Sequence, residues 1–382
     1  MLWKIKNVEN WGWPWCIIHH KLTQKRRICY AFYKYKYKYK TNKENTNMRQ
    51  NNNTTKSQNS KITNWPQYEK ALRKRGDCFT ILDDAIKNGA FDVPSRTYER
   101  GRPRIYSDEL IVLILTIHEL YHQPLRQAIL FTWRIMVALG KYAKLPDHST
   151  VSRRAAELNI NILPDDYALY HNNNLTLLVD SSGFELSGIG NWFSDKHDVC
   201  AIRIWQETHI IIDYDTRMIL GVIDTKNHVH DNTQLLPLII EAEKNLTRVG
   251  ANQKLECIIG DGAYEAKGNN KMAKNFGASF IAPPQKNATY HYNLKDGKLI
   301  DVPGWEERNQ VIRAIMRAGC IENWKKQVGY HRRSLVENAF YRLKNTFGDR
   351  MTMRTEKNRH TEQLIRIKIL NMFTTYGLPK YT

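Results

Sequence analysis

The sequence predicts an α/β protein in which a mixed β-sheet, covered by helices, follows an all-helical segment. Between residues 64 and 165, apolar residues recur at helical spacing in 65–75, 108–121 and 126–139, interrupted by Gly, Pro and charged turns. From about Asn174, short apolar runs bounded by turns alternate with amphipathic stretches in the order β-β-β-α-β-α-β-α. An antiparallel meander followed by a crossover helix forms a mixed sheet with helices on its faces.

The elements of the sheet region follow from its apolar runs. The run NLTLLVD predicts a buried strand that ends at Asp180, followed by a turn at Ser182-Gly183 and a return strand. The polar, Pro- and Lys-bearing stretch 285–304 is predicted to connect elements without forming one. The other segments are predicted as strands at 205–213, 218–225, 255–261 and 279–284 and as helices at 231–246, 266–276, 305–319 and 322–348.

The charge of the chain favours a polyanionic partner. Lys and Arg number 58 against 38 Asp and Glu, a net charge of +20. Residues 1–63 carry 14 basic and 2 acidic side chains, and the remaining 319 residues still carry 44 against 36. Because residues 64–382 are basic as well as residues 1–63, nucleic acid is the expected partner. The sequence contains no long basic amphipathic helix of the kind that binds a membrane surface.

Features of targeting and redox chemistry indicate a cytoplasmic protein. The longest apolar run of the folded part, Leu110 to Ile117, is too short to cross a bilayer, and the first residues lack the regions of a signal peptide. The six cysteines are scattered without zinc-site spacing and are expected to be reduced thiols.

Three segments differ in composition. Residues 1–63 are low in complexity, with KYKYKYK and an Asn-rich tract, and are expected to be a disordered basic extension, with a basic arm on DNA as the alternative. Residues 64–165 are predicted to be a helical, helix-turn-helix-like DNA-binding domain. In it, LPDHSTVSRRAAEL places Arg153 and Arg154 in the first turns of a helix that follows another one, where they would face DNA. Residues 166–382 are predicted to be the catalytic domain.

Two apolar strands end in an acid and a small-residue turn, TLLVD at Asp180 and CIIGD at Asp261. If these strands are parallel neighbours, their carboxyl ends meet at one edge of the sheet, where α/β proteins place their sites. Competing acids fit less well. Asp213 is expected at the opposite edge, Asp224 at a solvated strand end, and Asp231 as a helix cap.

The stretch YHRRSLVENAFYRLK could supply a third carboxylate, Glu337. On one continuous helix, Tyr330, Arg333, Glu337 and Lys344 would share an arc of roughly 60°. A second stripe is predicted to face the core and comprises Leu335, Val336, Ala339, Phe340, Leu343 and Phe347. Taken alone, the segment is better explained by a surface helix with one Arg333–Glu337 pair, but two strand-end aspartates reverse that preference and favour a site.

Three converging carboxylates repel one another unless cations lie between them. Asp180, Asp261 and Glu337 are therefore predicted both as catalytic residues and as ligands of two divalent cations, Mg²⁺ or Mn²⁺, which prefer oxygen donors. Such a pair activates a water or a 3′-hydroxyl for in-line phosphoryl transfer. Tyr330, Arg333 and Lys344 are predicted to bind DNA phosphates around it.

These residues resemble the D-D-E transposases of bacterial insertion sequences. The resemblance is closest to the insertion-sequence-five family, over residues 64 to 380, and includes the complete Y-x-x-R-x-x-x-E-x-x-x-x-x-x-K spacing. Other similar segments are NWPQYEKALRKRGD, RGRPRIYSD, PDHSTVSRR and GYHRRSLVE. It implies a ribonuclease-H-like catalytic core, a divalent metal pair, and a preceding domain that binds the terminal inverted repeats of the element. It also implies cleavage to a 3′-hydroxyl and transfer of that strand into target DNA.

Some residue assignments rest on weaker sequence signals. Lys196 and His197, in a loop similar to a basic loop of the family, are candidate DNA contacts, and Tyr264 could either line the DNA path or pack internally. Two ends must be held together in transposition, so a homodimer on double-stranded DNA is expected. The alternatives to a transposase are a nuclease of the same fold that does not join strands, and a catalytically silent DNA-binding derivative.

Overall fold

A mixed β-sheet forms the centre of the protein, as the apolar runs predict. The computed structural model describes residues 61–92, 94, 103–141, 144–170, 174–186, 205–285, 288–295 and 298–382. The strands are β1 (Leu175–Leu186), β2 (Trp205–Asp213), β3 (Ile219–Lys226), β4 (Leu255–Ile259), β5 (Ser279–Ile281), β6 (Tyr292–Lys295), β7 (Lys298–Asp301) and β8 (Arg350–Met351). The main sheet has the order β3-β2-β1-β4-β5, with the short β8 beside β1, and β6 and β7 form a separate pair.

Twelve α-helices surround the sheet within the described ranges. They are α1 (Trp65–Arg75), α2 (Cys78–Lys87), α3 (Asp108–Leu120), α4 (Leu125–Ala138), α5 (His148–Ala155), α6 (Tyr167–Tyr170), α7 (Leu235–Arg248), α8 (Lys267–Asn275), α9 (Glu306–Ala318), α10 (Ile321–Gln327), α11 (Ser334–Phe347) and α12 (Glu356–Tyr376). Short 3₁₀ turns at Asp231–Thr233 and Tyr330–Arg333 precede α7 and α11.

The pairing of β1 places Asp180, in the middle of this strand, next to the carboxyl end of β4. β1 runs antiparallel to β2 and parallel to β4, and the parallel pairing ends where Leu178 pairs with Ile259. The predicted end of this strand at Asp180 is wrong, as is the predicted turn at Ser182-Gly183. The strand continues to Leu186 because β2 pairs with it up to Glu185 and β8 pairs with Glu185 and Leu186.

The last long helix, α12, lies between the sheet and the amino-terminal helices. Asn371 donates hydrogen bonds to the carbonyl oxygens of Ile219 (2.8 Å) and Ile162 (2.9 Å) and accepts one from the Ile219 amide (2.8 Å). Arg366, which is 1 % exposed, pairs with Glu119 of α3 at 2.7 Å and with Glu362 at 2.6 Å. A single apolar cluster includes residues of α3, α4, α5, the sheet, α11 and α12.

Residues 64–380 form one compact unit. The change of sequence pattern near residue 165 lies inside this unit, and the assignment of separate roles to its two parts stays a prediction. The second unit contributes few described residues, 61–63 and 381–382, in which Ile62 and Tyr381 form an isolated antiparallel bridge. The predicted disordered extension lies, up to residue 60, outside the described residues.

Two features between β5 and α11 differ from the predictions. The stretch 285–304 contains the β6–β7 pair, with Tyr292 opposite Asp301. The predicted helix 322–348 is interrupted at Gly329, whose φ of 67° ends α10, and a 3₁₀ turn precedes α11. No helix in the described part of the chain is long and apolar enough to cross a membrane.

Candidate active site

Asp180 and Asp261 occupy equivalent positions on neighbouring parallel strands, as predicted. Each lies two residues beyond the last paired position, Leu178 on β1 and Ile259 on β4. Asp213 pairs instead with Leu177 and lies toward the other end of β1. The backbone amide of Ala263 donates to Oδ1 of Asp261 at 2.9 Å, so the turn after β4 orients this carboxylate.

Glu337 reaches the same region from the first turn of α11. Arg333, at the amino-terminal cap position of this helix, donates from Nη1 to Oδ2 of Asp180 at 3.1 Å and from Nη2 to Oε1 of Glu337. One guanidinium therefore joins the carboxylate of β1 to the carboxylate of α11. The stripe of α11 that packs on the core was predicted correctly, since Val336, Ala339, Phe340, Leu343 and Phe347 are buried.

The acids influence one another electrostatically. Burial is the main reason that the pKa of Asp180 is raised to about 6, while the charges of Asp261 and Glu337 act in the same direction and the charge of Arg333 opposes the change. Burial also raises the pKa of Tyr330, again with contributions from Asp261 and Asp180. The charge of Arg333 therefore offsets the raised pKa of Asp180 only in part.

The donor set suits a hard cation, although Arg333 bonds two of its members. Asp180, Asp261 and Glu337 offer only carboxylate oxygens, which is the ligand type that Mg²⁺ and Mn²⁺ prefer. Among the described residues, no three carboxylates, imidazoles or thiols are arranged closely enough to hold one ion. An entering cation would take over the charge compensation that the guanidinium of Arg333 now provides to Asp180.

The other residues of the Y-R-E-K pattern do not share one helical face, because Tyr330 and Arg333 lie on the 3₁₀ turn before α11. Tyr330 is half-buried, with the ammonium of Lys325 5.3 Å from its ring centroid. Lys344 donates from Nζ to Oγ of Ser182 (2.7 Å) and to the carbonyl of Gly183 (2.9 Å). Lys344 thus ties α11 to β1 in this structure.

The predicted DNA contacts outside the sheet have different surroundings. Arg153 is exposed on α5, and its Nε donates to the carbonyl of Ser149 at 3.3 Å. Arg154 is 11 % exposed and pairs with Asp108, with a further bond to the carbonyl of Tyr106 at 3.1 Å. Lys196 and His197 lie outside the described residues.

The pair of helices α4 and α5 lacks the short turn of a helix-turn-helix. Nine residues separate the two helices, whereas that motif uses three or four. The predicted cap is present, since Oδ1 of Asp147 accepts from the amide of Ser149 at 2.8 Å and the Ser149 hydrogen bonds lower the pKa of Asp147 to about 2.

Behind the aspartates lies a polar cluster that the sequence interpretation did not find. Asp231 does not cap a helix but accepts a hydrogen bond from Oγ of Ser181 at 3.2 Å. The same hydroxyl lies 3.2 Å from Oε1 of Glu207, and Nδ1 of His209 lies 3.7 Å from Oδ1 of Asp231. Tyr264, which is fully buried, lies 3.4 Å from Nδ1 of His209. Four consecutive polar residues, Gln206 to His209, lie near the start of the otherwise largely apolar strand β2, and this run is the signal that could have indicated a polar layer.

The predicted environment of Asp224 was also wrong. It is not a solvated strand end, because Oδ1 accepts from Oγ1 of Thr208 at 2.7 Å and Oδ2 is hydrogen-bonded to Nδ1 of His360 at 2.8 Å. This cluster lies on the sheet face that α12 covers, opposite the face that carries Ser181 and Asp231.

Several solved structures to which this chain is similar are transposases. The piggyBac transposase synaptic complex with hairpin DNA matches with a TM-score of 0.35 and 11% identity, covering 83% of this chain and 77% of that one. A Drosophila P element transposase strand transfer complex gives 0.26 and 12%, covering 77% and 71%. The Mos1 transposase paired-end complex gives 0.22 and 14%, covering 54% and 66%. Scores this low do not support an assignment of function.

Family models provide the assignment. A model described as Transposase DDE domain matches residues 172–372, which is 201 of the 382 residues and includes Asp180, Asp261 and Glu337. A second model with the same description matches residues 73–189 and so extends the similarity into the amino-terminal helices. The chain belongs to the family of transposase DDE domains.

Proposed function

We propose that this chain is an insertion-sequence transposase of the insertion-sequence-five family, with a ribonuclease-H-like catalytic core. It would bind the terminal inverted repeats of its element, cleave DNA to a 3′-hydroxyl and join that strand to target DNA. The observation that carries the proposal is the arrangement of Asp180 and Asp261 at equivalent positions of adjacent strands, with Glu337 connected to Asp180 through Arg333. The Y-R-E-K spacing supports the choice of branch.

Asp180, Asp261 and Glu337 would hold the divalent cations, Mg²⁺ or Mn²⁺. When bound, such cations supply Lewis-acid activation of the attacking water or hydroxyl and stabilise the leaving oxygen. The raised pKa of Asp180, caused by burial and by the neighbouring acids, supports a site that is completed by positive charge. Tyr330 and Arg333, next to these acids, would hold the phosphate of the reacting strand. Lys344 would join them after releasing its bonds to β1.

The amino-terminal helices would bind the DNA ends. Arg153 is exposed and is the better candidate for a phosphate contact, whereas Arg154 would first have to leave Asp108. Lys196 and His197 are further candidates. Because two ends must be brought together, we propose a homodimer on DNA, and sedimentation of the protein with end-containing duplexes would give two chains per complex.

The proposal is tested with duplex DNA taken from both flanks of the gene, incubated with purified protein in Mg²⁺ or in EDTA. We expect metal-dependent nicks at defined ends and joined products in the unaltered protein. Asp180→Asn, Asp261→Asn and Glu337→Gln should each abolish cleavage while retaining end binding in a gel shift. Asp224→Asn is the matched control, because this aspartate lies in the same sheet but belongs to the cluster with Thr208 and His360 and not to the three acids.

Three outcomes contradict the proposal in different ways. Full cleavage by Glu337→Gln would exclude the three-acid site. Cleaved ends without joined strands would identify a nuclease instead of a transposase. End binding without cleavage in any variant or condition would identify a catalytically silent derivative.

A further inference from the structure

The polar cluster on the sheet face opposite Asp180 contacts both segments that carry the aspartates. Ser181 directly follows Asp180 in β1, and successive side chains of a strand point to opposite faces. Asp180 therefore faces Arg333 and α11, whereas Ser181 faces Asp231 and Glu207. A change in the position of Ser181 would move the backbone of Asp180 with it.

The turn that carries Asp261 reaches the same cluster through Tyr264. The amide of Tyr264 donates to the carbonyl of Asp261 at 3.2 Å, and its hydroxyl lies 3.4 Å from Nδ1 of His209. A Cβ on Gly260 would lie 2.9 Å from Cγ2 of Val179 and 3.2 Å from Cβ of Tyr264. Tyr264 is therefore packed closely beside β1 as well as hydrogen-bonded behind it.

His209 and Asp231 join these two connections. Nε2 of His209 is hydrogen-bonded to Oγ1 of Thr225 at 2.9 Å, and Nδ1 lies 3.7 Å from Oδ1 of Asp231, while Oδ2 of Asp231 accepts from Ser181. His209 is fully buried and Asp231 is 22 % exposed. Burial raises the pKa of Asp231, and the charge of Asp261 adds to the effect, which agrees with their proximity.

We propose that Ser181, Asp231, His209 and Tyr264 are positioning residues that fix the separation of Asp180 and Asp261, so that both carboxylates bind the same divalent cation. This inference rests on the proposed function. The four residues would not touch the cation. They would restrict β1 and the turn after β4 to the arrangement in which the two acids can share an ion, as outer-layer hydrogen bonds do in metal sites.

The consequence is measurable without DNA. Binding of Mn²⁺ to the full-length protein can be followed by the loss of the free-ion signal in electron paramagnetic resonance. We expect Ser181→Ala and Asp231→Asn to raise the Mn²⁺ dissociation constant by about 10–100-fold. Ser181→Thr retains the hydroxyl and should bind Mn²⁺ nearly as the unaltered protein does. The double variant should be little weaker than either single variant, because both changes break one connection.

Two comparisons separate positioning from a loss of folding. Asp224→Asn removes the charge of a carboxylate that makes hydrogen bonds of similar length on the opposite face, and it should leave the Mn²⁺ dissociation constant unchanged even where urea unfolding shows lower stability. If Asp231→Asn does not fold, Ser181→Ala and Ser181→Thr decide the question, since the two differ in whether the hydroxyl is present.

The outcomes also separate this inference from the proposed function. Tight Mn²⁺ binding by Ser181→Ala, equal to that of the unaltered protein, would overturn the positioning role alone. Weaker binding by Asp224→Asn to the same extent would show a general effect of sheet stability and would also overturn it. Failure of the unaltered protein to bind Mn²⁺, together with metal-independent cleavage, would overturn the metal site and this inference with it.

Discussion

Arg333 donates a hydrogen bond from Nη1 to Oδ2 of Asp180 at 3.1 Å, across 153 positions of sequence. The side chains are 20 % and 16 % exposed, so the pair is largely shielded from water. Because the same guanidinium also bonds Glu337, a protein cation compensates the two acids that are proposed to hold a metal. Under the proposed function, the pair links the stability of the metal-free protein to its affinity for a cation.

Arg333→Met should lower the free energy of unfolding of the metal-free protein by about 1–3 kcal/mol, because the largely shielded Asp180 and the half-exposed Glu337 both lose a charged hydrogen-bond donor. Millimolar Mg²⁺ should restore more stability to this variant than to the unaltered protein, since the cation then meets no competing guanidinium. Urea unfolding in EDTA and in Mg²⁺ measures both effects. Arg332→Met is the control, because Arg332 donates to the carbonyl oxygens of Gly329 and Val328. Equal stabilisation of both proteins by Mg²⁺ would contradict competition.

The stability of the metal-free protein should fall as the pH rises from about 4 to about 6. Burial raises the pKa of Asp180 to about 6, above the value of about 3.9 of an unfolded chain, so the folded state binds this proton more tightly. The contribution is complete below pH 4 and is lost as the pH rises through 6, and two pKa units correspond to about 3 kcal/mol.

The measurement is the free energy of unfolding in urea against pH, for the unaltered protein and for Asp180→Asn. The difference between the two proteins should show the slope, since their other acids are the same. Glu185→Gln, an exposed acid on the same strand, should leave the slope in place. Mg²⁺ should remove it, because a bound cation keeps the carboxylate ionised. A flat difference between pH 4 and 6 would show that Asp180 titrates normally.

Lys344→Met tests whether this lysine ties two elements together or binds DNA. The ammonium donates to Ser182 and Gly183, and charged hydrogen bonds contribute about 1.5–3 kcal/mol. We expect the free energy of unfolding to fall by about that amount. Lys326→Met, on an exposed position of α10, should change stability by less than about 0.5 kcal/mol. Unchanged stability of Lys344→Met with weaker, less salt-dependent DNA binding in a gel shift would instead support a phosphate contact.

Gly260→Ala should impair the site through crowding. An added Cβ would lie 2.9 Å from Val179 and 3.2 Å from Tyr264, and overpacking costs about 1–3 kcal/mol. Because Asp261 is the next residue, Mn²⁺ binding should weaken together with stability. Gly268→Ala on α8 has no atom within 4 Å of the added Cβ and should be neutral or slightly stabilising. Normal Mn²⁺ affinity in a destabilised Gly260→Ala protein would show that the turn tolerates the shift.

The sequence was sufficient for features that depend on local pattern. Apolar runs located β1 to β5 of the main sheet but not the short β8, and the acids that follow two of these runs were correctly placed beside each other, where the parallel pairing of β1 and β4 ends. The helical period of Val336, Ala339 and Phe340 identified the buried face of α11. These predictions succeeded because burial of apolar surface selects such patterns directly.

The features that the sequence did not reveal depend on partners far along the chain. Ser181-Ser182-Gly183 suggests a turn, but pairing with β2 keeps this segment extended. Asp231 precedes a helix, as a cap would, yet its carboxylate accepts a hydrogen bond from Ser181, 50 positions earlier. The β6–β7 pair did have a local signal, since Asp296-Gly297 between two short apolar segments is typical of tight hairpins.

The position of α12 has a consequence for synthesis of the protein. This helix, the last long one, provides the partner of buried Glu119 in α3 and hydrogen-bonds the edge strand β3 through Asn371. A nascent chain that has not yet emerged beyond residue 376 leaves Glu119 without Arg366, leaves the Ile219 amide without Asn371, and leaves much apolar surface in water. The amino-terminal helices and the sheet therefore reach their stable form only once α12 has left the ribosome, so a frameshift ahead of α12 would disable both parts together.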